Sequence, residues 1–284
     1  MKYAIVVALS VVLVGSILFL DSHLYGSSGP TQRSGKLYIV GSTSVLPLVQ
    51  VSGEVWNSHQ DDITVSVIGS GTGVGIKSIS SGIADIAMAS REVKSEEVEI
   101  YGDNFKKFPI AIDAICVSVG PDVYEGGVRE ISGHQLFAIY NGEIDSWGEL
   151  GGPDETITVV AREVGSGTRD LFNEVVMGRV DHDTPGADSY RYSEAEVWAT
   201  IASGRGVVGY LSLNRARDGE IRALAYEGVL PSAETVRDGS YPLARTLYMY
   251  TWGELDDDER AFLEFVTGEK GQAIAGEMGF VPVR

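Results

Sequence analysis

The sequence predicts an α/β fold with parallel strands, arranged as two domains. Three observations predict it. From Lys36 onward, short apolar runs of strand length alternate with helical patterns, which is how a parallel sheet covered by helices reads in sequence. One junction recurs three times: a strand, then glycine with serine or threonine, then a helix. It occurs at Gly41-Ser42-Thr43-Ser44, at Gly69-Ser70-Gly71-Thr72-Gly73 and at Gly165-Ser166-Gly167-Thr168. Finally, 284 residues is about two domains' worth at ~150 residues each.

The elements follow in order. KLYIVG (36–41) reads as a strand, and STSVLPLVQVSGEVWNSH (42–59) as a helix opened by hydroxyl residues. ITVSVIG (63–69) is the next strand, SGTGVGIKSISSG (70–82) a turn and helix, ADIAMAS (84–90) a strand and SEEVEIYG (95–102) a helical piece. KFPIAIDAICVSV (107–119) is a long apolar strand interrupted by Asp113. The second half predicts a helix over 132–142, a strand at TITVVA (156–161), a helix from Arg169, a helix at EAEVWATIASG (194–204) and a strand at GVVGYLS (206–212). A polar stretch over 218–244 precedes a strand at RTLYMYTW (245–252). The region 256–279 reads as helical, with acidic residues at its start that suit the helix dipole.

The N-terminus differs in kind. Lys2 precedes an apolar run from Tyr3 to Leu20, which reads as a secretory signal peptide or a signal anchor. The run is at the lower limit for crossing a bilayer. No A-x-A-like site follows closely and no cysteine follows for lipidation, which favours an uncleaved anchor. The Gly/Ser-rich residues 21–35 read as a flexible tether. A single basic residue before the run places the rest of the chain outside the cytoplasm.

Composition excludes several functions. The net charge of −18 argues against nucleic acid, which needs a basic face. Cys116 is the one cysteine, so no intrachain disulfide is possible, and His23, His59, His134 and His182 show no metal-ligand spacing. Neither a P-loop nor a nucleophile elbow is present. No metal site and no cofactor is expected.

The stretch AREVGSGTRDLF (161–172) carries the most chemistry. A strand-to-helix turn leaves helix N–H groups unpaired at the positive end of the dipole. Glycines let a ligand approach the backbone, and Ser166 and Thr168 add hydroxyls. These parts make an anion cradle. They also make an ordinary Ser/Thr helix cap, and the stretch alone does not separate the two. In parallel sheets, ligands sit beyond the carboxyl ends of strands, so the three junctions could converge on one small anion. The overall negative charge repels such a ligand, so binding must rest on short-range, aimed donors.

At this point the chain resembles the phosphate-binding proteins of the ABC-type phosphate importer, the PstS family. The matching pieces are GSTSVLPL (41–48), GSGTGVGI (69–76), ADIAMASREV (84–93), FPIAIDAICVSV (108–119), IYNGEIDSWGELGG (139–152), REVGSGTRDLF (162–172), GVVGYLSL (206–213) and GFVPVR (279–284). They span essentially all of the chain after the tether. The resemblance implies a two-lobed, periplasmic-binding-protein-like (type II) fold. One lobe would be 36–112 plus 243–284 and the other 120–240, with hinge strands at 113–119 and 241–248.

Carried over by position, Ser44 is similar to the family's first hydroxyl donor, with Thr43 its rival because the register is uncertain by one. Ser70 is similar to the second donor. Arg162, Ser166, Gly167 and Thr168 match an Arg-x-x-x-Ser-Gly-Thr block in type and spacing. The family also uses a carboxylate that accepts the proton of hydrogen phosphate. This sequence has Ser90-Arg91 where the best-known pattern has Ser-Asp, so the acid must come from elsewhere. Asp113, a charge within an apolar strand, is the first choice and Asp85 the second. The plainer reading of Asp113 is a structural acid paired with an arginine. Arg91 is either a ligand or an acid's partner, and Arg169 a brace behind the site.

The resemblance implies a monomeric extracytoplasmic receptor that captures inorganic phosphate. It would deliver the ion to the permease and ATPase subunits of an ABC importer, tethered to the membrane by its N-terminal segment. Rival readings are a receptor for sulfate, molybdate or tungstate, a sensory ectodomain, and a phosphatase or acyl-transfer enzyme using Ser166.

Overall fold

Alternating buried and exposed positions in KLYIVG build β1 (Lys36–Gly41), the first strand of a computed structural model that describes residues 35–60, 62–217 and 219–283. Helix α1 (Leu46–His59) starts four residues later than the hydroxyl pattern predicts. Pro47, in its first turn, fixes the entry, while Ser42 to Val45 stay in a turn whose Ser42 N–H donates to Met88 O at 2.8 Å. β2 (Thr64–Gly69), α2 (Thr72–Ser80), β3 (Ile86–Ala89), α3 (Ser95–Tyr101) and β4 (Phe105–Val119) follow as predicted.

After α4 (Pro121–Glu125) and β5 (Glu130–Ile131) comes α5 (Gly133–Asn141), opened by a Ser132–Gln135 capping box. β6 (Thr158–Arg162) leads into α6 (Gly167–Val176), and β7 (Ser189–Arg191) into α7 (Glu194–Ser203). β8 (Val207–Ser212) is buried along its whole length. The polar stretch holds short elements: α8 (Leu213–Ala216) before it, then β9 (Arg222–Ala223), β10 (Ala225–Tyr226) and α9 (Ala233–Arg237). β11 (Ala244–Trp252) ends the sheet, and the helical C-terminal region divides at Gly268 into α10 (Asp257–Thr267) and α11 (Glu269–Glu277).

The described residues form a nine-stranded sheet in the order β2-β1-β3-β11-β4-β8-β6-β7, with β9 on β4. β1 pairs in parallel with β2 and β3, and β6 with β7 and β8. The expectation of purely parallel sheets needs correcting: β11 runs antiparallel to β3 and β4, and β4 antiparallel to β8. The two long strands join the parallel sets by crossing the molecule in opposite directions.

Those strands also pass between two cores. Ile110 and Ala111 of β4 pack with Leu37, Ile39, Met88, Leu247, Met249 and Phe262. Ala114 to Val117 pack with Leu136, Tyr140, Trp147, Phe172 and Tyr210. Asp113 falls between the two stretches, and the β4–β11 register sets it opposite Arg245. Trp56 of α1 packs edge-on against Phe262 and Phe265 of α10. On the other side Phe172 of α6 stacks on Tyr210 of β8 at 4.0 Å, which fixes where α6 points. No helix among the described residues is long and apolar enough to cross a membrane. The predicted signal peptide or anchor over 1–20 and almost all of the tether lie outside the described residues.

Candidate functional site

The three glycine–hydroxyl junctions do meet. The first two interlock through the backbone: Ser70 N and Gly71 N both donate to Gly41 O, at 2.7 and 3.0 Å. The second and third touch through Gly73 N and Gly165 O at 3.1 Å. Gly71 and Gly165 adopt φ of +96° and +90°, conformations a side chain would strain. Gly167 is required for closeness. A Cβ there would lie 2.5 Å from Ser90 Oγ and 2.8 Å from Thr72 Oγ1. Thr72 belongs to the second junction, while Ser90 did not stand out in the sequence as a neighbour of this turn.

Both readings of the third junction hold locally. Ser166 is the N-cap of α6, its Oγ accepting from Arg169 N at 3.3 Å. The N–H groups of Gly167 and Thr168 fall in the first turn, outside the helix's own ladder. Arg162, 1% exposed, ends β6 directly beneath. Its backbone N–H donates to Tyr210 Oη at 3.1 Å, so the stack that places α6 also places Arg162. Its guanidinium is clamped: Nε and Nη2 donate to the two oxygens of Glu163 at 2.8 and 3.0 Å, and Nε also to Arg191 O. Nη2 reaches Thr43 Oγ1 at 3.3 Å.

A second buried group lies beside this one. Ser44 Oγ is 2.8 Å from Thr168 Oγ1 and donates to Glu194 Oε1 at 2.5 Å. Thr168 Oγ1 and Ser212 N also donate to Glu194 Oε1, at 3.3 and 3.2 Å. Arg245 Nη1 donates to Thr168 Oγ1 at 2.9 Å, while its Nε and Nη2 hold Asp113 Oδ2 at 3.3 and 3.0 Å. Ser212 Oγ donates to Asp113 Oδ1 at 2.7 Å. Burial pushes the Asp113 carboxyl up to about 6, with nearby Glu194 adding to the rise and Arg245 opposing it.

The structure therefore brings Thr43, Ser44, Arg162, Ser166, Gly167 and Thr168 together, with the Ser70 turn against them. Asp113 reaches the group through Arg245. Arg91 lies next to Gly167 but turns away. Its Nη1 and Nη2 fork Glu97 at 2.7 and 2.8 Å, Nη1 also bonds Glu92 O, and Nε holds Asp170 at 2.6 Å. Of its two readings, ligand donor or partner of acids, these contacts fit the second. Asp85 precedes β3, at the opposite end from Ser90, and accepts from Tyr38 N, so it cannot reach the site. Arg169 braces as expected, Nη1 donating to Arg162 O at 3.2 Å.

Glu194 and Arg245 escaped the sequence reading. Glu194 looked like an acidic residue in a helix's first turn. Arg245 carried a signal: it and Asp113 are each a lone charge within an apolar strand.

Three buried polar atoms of the group have no hydrogen-bond partner among the described residues: Ser70 Oγ, Arg162 Nη1 and Glu194 Oε2. Eight more buried polar atoms, scattered over the described residues, also lack a partner, but only here do three belong to one group, and each unpaired one costs about 1–3 kcal/mol. Two of the three are donors, which is what a buried site for an oxyanion requires.

Known proteins agree with this chemistry. A family model described as a PBP superfamily domain matches residues 26–270. The phosphate-binding protein PstS of Bacillus subtilis (strain 168) is 33% identical over 259 residues, 90% of this chain and 84% of that protein. Its namesake from Staphylococcus haemolyticus is 30% identical over 95% of this chain and 91% of its own length. Among solved structures, a phosphate ABC transporter substrate-binding protein from Clostridium perfringens, with bound phosphate, superposes with a TM-score of 0.81 at 30% identity. The match covers 88% of this chain and 100% of that one. An ABC-type phosphate transport receptor from Vibrio cholerae gives 0.70 at 28%, over 86% of this chain and 99% of its own. The fold is thus periplasmic-binding-protein-like, and the chain belongs to the PBP superfamily and, within it, to the PstS family of phosphate-binding proteins.

Proposed function

We propose that this protein captures inorganic phosphate and hands it to the permease and ATPase subunits of an ABC importer. It makes and breaks no covalent bond. The observation that carries the proposal is the pair of buried donors without partners, Arg162 Nη1 and Ser70 Oγ, beside the first turn of α6. Phosphate relatives at 30–33% identity fix the class of ligand. Phosphate oxygens would take Arg162 Nη1, the hydroxyls of Thr43 and Ser70, and the N–H groups of Gly167 and Thr168. Ser44 and Ser166 would hold the two junctions in place around the ion.

The lobes would be 36–112 plus 243–284 and 120–240, with the strands near 113–119 and 241–248 as the hinge, a division supported by the change of core partners along β4. The N-terminal apolar segment would tether the receptor to the outer face of the cytoplasmic membrane, where a permease can take its ligand.

Isothermal titration of purified protein with phosphate, sulfate, molybdate and tungstate tests this reading. Phosphate is expected to bind, and more tightly than the other three. Tighter binding of any other anion would reassign the receptor, and no binding of any would overturn it.

A further inference from the structure

Arg245 and Asp113 are buried charges in two largely apolar strands, set opposite each other by the β4–β11 register. Such a pair is weak evidence for stability. Desolvating two charges offsets most of their attraction, and an uncharged pair of similar volume often holds a fold as well. Its placement points elsewhere. Asp113 falls where β4 changes core partners, and Arg245 does not give all its donors to that acid. Nε and Nη2 hold Asp113 Oδ2 at 3.3 and 3.0 Å, while Nη1 donates to Thr168 Oγ1 at 2.9 Å. Nη2 also lies 3.6 Å from Glu194 Oε1. One guanidinium thus joins the two long strands to the first turns of α6 and α7.

Other acids beside the site have cations of their own: Glu163 has Arg162, and Asp170 and Glu97 have Arg91, with Lys94 also on Asp170. Asp113 and Glu194 share one cation among the described residues, Arg245. Both acid side chains are 1% exposed, so salt and water screen them little. Without Arg245 they would set two negative charges beside the first turn of α6, where an oxyanion would be held. With it the excess is one. The contact to Thr168 adds geometry. Because Oγ1 accepts from Arg245, its own proton goes to Glu194 Oε1 or Ser44 Oγ. The side chain is held from both sides, which steadies the backbone N–H of the same residue.

We propose that Arg245 is a positioning residue for phosphate: it offsets the charge of Asp113 and Glu194 and seats Thr168, and so lets the anion occupy the cradle without touching the ion itself. The proposal rests on the phosphate reading above and adds a residue that lies outside the three glycine–hydroxyl junctions. The buried ion pair on β4 and β11 is then kept for the ligand and not for the stability of the sheet.

The test is a calorimetric titration of the full chain with phosphate, at one pH and ionic strength, comparing the parent with Arg245→Gln, Asp113→Asn and the double variant. Arg245→Gln is expected to weaken phosphate binding about ten-fold or more, because it leaves two buried acids without their cation. Adding Asp113→Asn removes one of those acids and returns the excess to a single charge. The double variant is therefore expected to recover most of the loss. A merely structural role gives no such recovery, since two lesions in one strand pair are no better than one. A double variant that binds no better than Arg245→Gln overturns the proposal, as does parent-like binding by Arg245→Gln. Should Arg245→Gln not fold by circular dichroism, Asp113→Asn against the parent decides. Removing an acid beside the cradle is expected to leave phosphate binding as tight as the parent's or tighter, and weaker binding overturns the proposal. A parent that binds no phosphate would overturn the functional reading and this proposal with it, whereas the other failures leave that reading standing.

Discussion

Arg162 is the proposed charge partner of the anion. Three of its neighbours, Glu163, Thr43 and Arg191 O, hold Nε and Nη2, which fixes the planar fork and leaves Nη1 without a partner among the described residues. A lysine has neither the plane nor the second nitrogen. Arg162→Lys should therefore weaken phosphate binding by about ten-fold or more, the value of one charge-assisted bond at roughly 1.5–3 kcal/mol. Titration calorimetry measures this directly, and a dissociation constant equal to the parent's would remove Arg162 from the ligand. This residue was legible because its spacing to Ser166, Gly167 and Thr168 lies within one local stretch. Arg245 and Glu194 were not, because their partners are distant in the chain: Arg245 meets Asp113 across 132 positions and Glu194 meets Ser44 across 150. Only the folded sheet, through the register of β4 on β11, decides such meetings.

At the scale of elements, local pattern was enough for existence and not for direction. The seven longer strands were readable from their apolar runs, and α5, α6 and α7 from their helical patterns, while the two- and three-residue strands β5, β7, β9 and β10 were not. The antiparallel course of β4 and β11 was not, because a fully buried strand reads the same either way. The late start of α1 reflects the turn at Ser42 to Val45, pinned by the Ser42 N–H to Met88 O bond. The start of α10 carries a testable consequence of its own. Glu259 closes a capping box with Asp256, and burial pushes its carboxyl up to about 7, with the charges of Asp256 and Asp85 adding to the rise. The folded chain then holds this proton more tightly than the unfolded one. The group's contribution is most favourable below its ordinary value of 4.5 and is lost as pH rises through about 7. Glu259→Gln keeps an acceptor for the cap and removes the charge. It should raise the melting temperature at pH 8 by a few degrees, on the order of 1 kcal/mol after solvent screening, and leave it nearly unchanged near pH 4.5. Calorimetric melts at the two pH values check this, and a lower melting temperature at pH 8 would show that the cap needs the carboxylate.

For the whole molecule, the described residues hold the two cores against each other across the candidate site. Arg91 and Lys94 meet Asp170, Ser44 meets Thr168 and Glu194, and Gly73 meets Gly165. Opposing them are Ser70 Oγ and Arg162 Nη1, buried and without partners among the described residues, at about 1–3 kcal/mol each. Opening would let water reach both donors, and phosphate would satisfy them without opening. A ligand that rewards only the closed arrangement shifts the population toward it by its differential affinity. The proposed hinge is β4 and β11, the long strands that pass from one core to the other. The net charge of −18 bears on this balance too: self-repulsion favours separation of the halves when no ligand bridges them. Small-angle X-ray scattering should therefore show a smaller radius of gyration with saturating phosphate than without it, and sulfate at the same ionic strength should leave the curve unchanged. Identical curves with and without phosphate, with binding confirmed by calorimetry in the same samples, would mean that the halves stay closed throughout and that phosphate enters without hinge motion.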